Sequence, residues 1–134
     1  MTPVSATVVL CDAAQSADGK LYLMGGGWTR IAADATANMA LGIIVHVPFD
    51  MSNQQLPLIA ELLDDDGRTV NINGSEVKAE AQFEMGRPAG LKQGEQMSTP
   101  FAMNFRGLDL PPGGYVFEVS IQGEPVARCP FRVA

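Results

Sequence analysis

The clearest signal along the chain is strict alternation of apolar and polar residues. In Val77-Lys78-Ala79-Glu80-Ala81-Gln82-Phe83-Glu84-Met85 every odd position is apolar and every even one polar. Successive side chains of a strand point to opposite faces, so this pattern makes one dry face and one wet face. On a helix the same apolar residues would scatter around the cylinder. The same period runs through Leu41, Ile43, Val45, Val47 and Phe49, through Met97, Thr99, Phe101, Met103 and Phe105, and through Tyr115, Phe117, Val119 and Ile121. Ala127, Cys129, Phe131 and Val133 close the chain in that register. Shorter strands are predicted over Val4 to Cys11, Lys20 to Met24, Trp28 to Ile31, Leu56 to Leu63 and Arg68 to Ile72. No segment sustains a helical period, and Asp12 to Ala17 is predicted as one helical turn at most.

Turn residues separate these runs: Asp18-Gly19, Asp64-Asp65-Asp66-Gly67, Asn73-Gly74 and Gln122-Gly123, the last joining the final two strands as a tight hairpin. Short strands at this spacing predict a single all-β domain over 1–134, a two-sheet antiparallel sandwich of about 7–9 strands. Leu110-Pro111-Pro112-Gly113-Gly114-Tyr115 leads directly into a strand and resembles the tyrosine corner of Greek-key sandwiches. There a tyrosine hydroxyl returns to upstream backbone, which satisfies its polar tip inside a core. Gly25-Gly26-Gly27 ahead of Trp28 predicts a bulge or the close approach of another backbone.

Composition narrows the function classes. The chain has 134 residues, a hydrophobic fraction of 46% and a net charge of −6. The apolar fraction suffices for one folded core, so neither disulfide nor metal is needed. The acidic balance disfavours nucleic acid and anionic membranes as partners. No apolar run approaches the ~18 residues of a membrane span. Met1 to Cys11 contains no Lys or Arg, unlike the start of a secretory signal, so export is not expected.

Candidate chemistry is sparse. His46 is the single histidine, placed between Val45 and Val47 so that it faces away from that strand's apolar set. A Ser-His or Cys-His pair would have to use it. Cys11 and Cys129 sit in predicted strands near opposite ends. They are read as two buried thiols or as a bridge between the first and last strands. No cysteine or histidine spacing matches a zinc site, and no cofactor is expected. The Asp64, Asp65 and Asp66 cluster is read as a hairpin turn, with a calcium site as the alternative. Trp28 is read as core packing or, with Tyr22, as a stacking platform for a ligand ring. The loop from Gly86 to Gln96 carries Arg87, Leu91 and Lys92 and is read as a plain crossover or as a contact loop. Val9, Ile44, Ile59, Leu63, Val116 and Val126 fall on outward registers, and their clustering would make an apolar patch suited to a partner.

Asp18-Gly19-Lys20-Leu21 through Gly25-Gly26-Gly27-Trp28 resembles a family of small uncharacterised proteins from actinobacteria and their phages. The resemblance continues at Leu62-Leu63-Asp64-Asp65-Asp66-Gly67, at Gly86-Arg87-Pro88 and at Pro112-Gly113-Gly114-Tyr115. It implies an immunoglobulin-like sandwich and a phage or actinobacterial setting, and it brings no established activity from which a catalytic residue could be carried over. The leading expectation is therefore a non-enzymatic module that binds a protein partner or its own copies. Its most specific form is a virion component, a capsid decoration or tail accessory protein, in the virion or the host cytoplasm. A cytoplasmic small-ligand or carbohydrate binder using Trp28 or Tyr22 is the second reading. A hydrolase built on Asp64–Asp66 is the last.

Overall fold

A computed structural model describes residues 3–33 and 36–134. Among these are twelve β-strands, one 3-10 turn at Phe49–Met51 and no α-helix. The strands are β1 (Ser5–Cys11), β2 (Ala13–Ala17), β3 (Lys20–Met24), β4 (Arg30–Ile31), β5 (Ala37–Pro48) and β6 (Gln55–Asp64). They continue with β7 (Asn71–Ile72), β8 (Ser75–Glu76), β9 (Lys78–Glu84), β10 (Gln96–Leu108), β11 (Gly113–Ile121) and β12 (Glu124–Val133). Eight of them form two sheets, ordered β1-β5-β10 and β4-β12-β11-β6-β9. All ladders between strands are antiparallel except the two-residue pairing of β4 with β12. The remaining four strands make two small hairpins, β2-β3 and β7-β8, which is why the total exceeds the expected 7–9.

The alternating residues of both sheets meet in one core. Leu41, Ile43, Val45 and Val47 of β5 and Leu56, Leu58, Ala60 and Leu62 of β6 are fully buried. Two aromatic pairs link the sheets: Phe105 with Phe117, centroids 4.9 Å apart, and Phe83 with Phe101 at 5.0 Å. Each such buried side chain contributes roughly 1.5–3 kcal/mol relative to exposure, which makes this layer the main source of stability. Tyr115 stacks on Phe131 at 5.7 Å, and its hydroxyl donates to the Pro111 carbonyl at 2.6 Å.

Three two-residue turns share one geometry. Asp18-Gly19, Asn73-Gly74 and Gln122-Gly123 all have positive φ at both positions. This is the type I′ turn, whose twist matches that of the strands it joins.

Three local expectations change. Asp12 to Ala17 is not a helical turn: Ala13–Ala17 is β2, paired with β3 from Ala13↔Met24 to Ala17↔Lys20. Its alanines favour helix, but the type I′ turn at Asp18-Gly19 and the adjacent sheet override that local preference. Gly25–Gly27 is not a bulge within a strand, because it forms the connection from β3 toward β4. What the glycines permit is close approach: Gly27 N–H donates to Leu10 O at 2.9 Å, and a Cβ on Gly26 would stand 3.1 Å from Val9 Cγ1. The register shifts lie instead beside Gly107 in β10 and between Val119 and Ser120 in β11. Finally, the strand expected over Arg68 to Ile72 is reduced to Asn71–Ile72 and a single bridge from Thr69 to Leu63, and Trp28 precedes β4.

Candidate contact surface

The β2-β3 hairpin lies against the outer face of the three-stranded sheet. Its seat is Gly42, a buried residue of β5. A Cβ at position 42 would collide with Leu23 Cδ2 and stand 3.2 Å from Leu21 Cδ2, so glycine lets the two leucines down onto the sheet. Asn104 of β10 fastens the rim. It accepts from Ala14 N–H at 3.2 Å through Oδ1 and donates to Ala14 O at 2.9 Å through Nδ2.

The other face of the hairpin is apolar and open. Tyr22 is 52% exposed and Met24 73% exposed, and Leu23, on the sheet-facing side between them, is still 37% exposed. Among the described residues these are the exposed large hydrophobic side chains, and they are consecutive. Scattered apolar residues on a surface are ordinary, whereas a contiguous set calls for a reason. With Ala13, Ala14 and Gln15, Tyr22 and Met24 line a shallow groove of about 160 Å³.

The hairpin also has a free edge. Ala17↔Lys20 closes the turn, so Ala13↔Met24 and Gln15↔Tyr22 are the hydrogen-bonded pairs. The backbone groups of Ala14 and Ser16 then point away from β3, and those of Leu21 and Leu23 away from β2. Asn104 engages Ala14. No described strand pairs with β3 on the Leu21–Leu23 side.

The other candidates fall into place around this surface. Trp28 is half-buried against the core and meets Phe131 edge-on at 5.8 Å, with its Nε1 buried and unpartnered among the described residues. It is thus packed inward, and only Tyr22 of the expected stacking pair is open. Arg87 is exposed and is held from within the chain: its guanidinium lies 3.7 Å over the Phe49 ring, and Nε and Nη2 donate to Ser52 Oγ at 3.0 and 2.9 Å. Leu91 packs on the core, and Lys92 is exposed.

Asp64 Oδ1 accepts from the amides of Asp66 and Arg68 at 2.9 and 3.0 Å, and Asp65 Oδ2 from that of Gly114 at 3.1 Å. These carboxylates shape the turn, and among the described residues no three acidic, histidine or cysteine side chains converge as metal ligands. His46 lies between Thr7 Oγ1, 2.9 Å from Nε2, and Ser98 Oγ, 3.0 Å from Nδ1. Both ring nitrogens face hydroxyls, and among the described residues no carboxylate is hydrogen-bonded to the ring. Cys11 and Cys129 are free thiols near different carbonyls, those of Ala40 and Val8. Burial raises both thiol pKa values above the ordinary range.

The outward apolar residues do not form one patch. Ile44 lies on the outer face of the three-stranded sheet, two positions from Val9 in the ladder, while Leu63, Val116 and Ile59 lie on the five-stranded one. Val126 sits at the β11–β12 irregularity and packs on the core. Asn104 and Met24 were not singled out by the sequence. Their signals were an asparagine inside the apolar run Met103-Asn104-Phe105 and apolar residues on both registers of Leu21-Tyr22-Leu23-Met24.

No curated protein matches the chain. One family pattern, described as a family of unknown function (DUF6941), matches residues 6–134, and the chain belongs to that family.

Proposed function

We propose that this protein works by protein–protein contact, without catalysis, and that the β2-β3 hairpin is the contact element. The observation that carries this reading is the run Tyr22-Leu23-Met24, exposed and apolar beside an unpaired strand edge. Native edge strands are normally blunted by charge, proline or a covering segment. On β3 the single charged residue is Lys20, at the turn end.

The partner is first of all a second copy. An antiparallel β3–β3 pairing about Tyr22 is self-complementary, as a two-fold dimer requires. It matches Leu21 of one copy with Leu23 of the other as hydrogen-bonded pairs and sets the two Tyr22 residues face to face. The finer fold reading, an immunoglobulin-like Greek key, is supported by the two-sheet order and by the Tyr115–Pro111 bond. A repeating virion shell or tail is the setting that the phage resemblance suggests for such a module.

The test is a Tyr22→Cys variant under mild oxidation. At a non-hydrogen-bonded antiparallel pair the Cα atoms are about 4.5 Å apart, within disulfide reach. The expected product is a covalent dimer formed through residue 22. A variant that stays monomeric while remaining folded would refute the pairing.

A further inference from the structure

Away from the hairpin, the outer face of the five-stranded sheet carries a groove of about 560 Å³. Its floor is an apolar row across three strands, Leu63, Val116 and Pro130, which are direct neighbours in the ladders. One wall is Arg128, beside which Glu118 and Glu61 continue the row across β11 and β6. Here Arg128 pairs with Glu118 at 2.5 Å, and Glu61 accepts from Thr69 Oγ1 at 3.1 Å, so these charged groups already have partners.

The other wall differs. Gly114 lies between Asp65 and Arg132, and its missing side chain leaves a notch. A Cβ there would collide with Asp65 Oδ1 and stand 3.4 Å from Arg132 Nη2. Asp65 Oδ2 is engaged by the Gly114 amide, but Oδ1 has no hydrogen-bond donor among the described residues. Arg132 has no carboxylate within salt-bridge distance among them. The notch therefore sets one unengaged acceptor beside one unengaged donor, at the end of an apolar floor.

We propose that this groove binds a small planar ligand whose edge carries an adjacent N–H and C=O, a carboxamide or lactam, on an apolar ring. The carbonyl accepts from Arg132, the N–H donates to Asp65 Oδ1, and the ring lies on Val116 and Pro130. A simple anion satisfies Arg132 but faces the Asp65 carboxylate, and a simple cation does the reverse. The volume is in the range of small-molecule sites, which pair an apolar lining with few polar groups. This site is independent of the contact reading above.

The test uses the full chain and three isosteric probes, benzamide, benzoate and benzamidine, followed by amide NMR shifts at Gly114 and Val116. Benzamide is expected to give saturable shifts at those two residues and to bind about tenfold tighter than either charged probe, as sites built on hydrogen bonds reject unmatched analogues. The Asp65→Asn variant keeps an oxygen for the Gly114 amide and turns the free atom into a donor. It should reverse the preference, so that benzoate binds best. An Arg132→Met variant should lose benzamide binding and leave the thermal midpoint nearly unchanged. Benzoate binding better than benzamide to the unaltered protein would overturn the proposal, as would an unchanged preference in Asp65→Asn. Shifts that do not saturate, or that avoid Gly114 and Val116, would overturn it as well.

Discussion

The side-chain amide of Asn104 pairs with the backbone of Ala14 as a neighbouring strand would, accepting its N–H and donating to its C=O. One residue of β10 thereby blocks the edge of β2 and leaves β3 as the open edge. An Asn104→Leu variant keeps the side chain's size and removes both bonds. Leaving two backbone groups unmatched should cost about 1–3 kcal/mol. Hydrogen exchange at the Ala14 amide should accelerate, while Phe117 and Val119 in the core keep their protection.

Arg87 has a different predicted role from the one its loop suggested. It closes over Phe49 and bonds Ser52, whose own hydroxyl donates to Phe49 O at 2.7 Å. Arg87→Ala should therefore lower stability by about 1–2 kcal/mol through the lost cation–π contact and hydrogen bonds. Lys92→Ala, made in the same loop, should leave it unchanged. Denaturant midpoints of the two variants measure the difference.

Gly42 sets how deeply the hairpin seats. A Gly42→Ala methyl group meets the end of Leu23, so Leu23 must move outward. The expected cost is about 1–3 kcal/mol, as for other overpacked sites. Increased binding of a hydrophobic dye at the loosened hairpin would report the change.

The pH dependence follows from three protonated groups. Burial raises the Tyr115 pKa, with the charges of Asp64 and Asp65 adding to it, and burial raises those of Cys11 and Cys129. A raised pKa means that the fold favours the protonated form. Their contribution is fully present below the unfolded values, about 8.5 for Cys and 10 for Tyr, and is lost as pH rises through the higher folded values. Thermal midpoints should hold steady from these groups near neutrality and fall in alkaline solution. Both thiols should resist alkylation at pH 7 until the chain is unfolded.

The large strands and their inward faces were legible because burial imposes a period of two. Leu41 to Val47 and Phe117 to Ile121 could satisfy it in only one way. β2 was not legible, because Ala13-Ala14-Gln15-Ser16-Ala17 has little apolar contrast and good helical residues. Its strand state comes from the turn at Asp18-Gly19 and from Asn104, ninety positions from Ala14. The acidic turn was legible as a turn through Asp64 and Gly67. That Asp65 reaches Gly114 was not, since the contact joins this turn to a strand far away in sequence. The packing of Arg87 on Phe49 and Ser52 was not legible for the same reason: those residues are distant in the chain and become neighbours only in the fold.

Association through the Tyr22–Met24 face is read by sedimentation velocity over a wide concentration range. The unaltered protein should show a sedimentation coefficient that rises with concentration toward a dimer. A Tyr22→Ser, Met24→Ser double variant should stay monomeric over the same range with an unchanged thermal midpoint. An unaltered protein that remains monomeric throughout, or a double variant that associates equally well, would contradict the account.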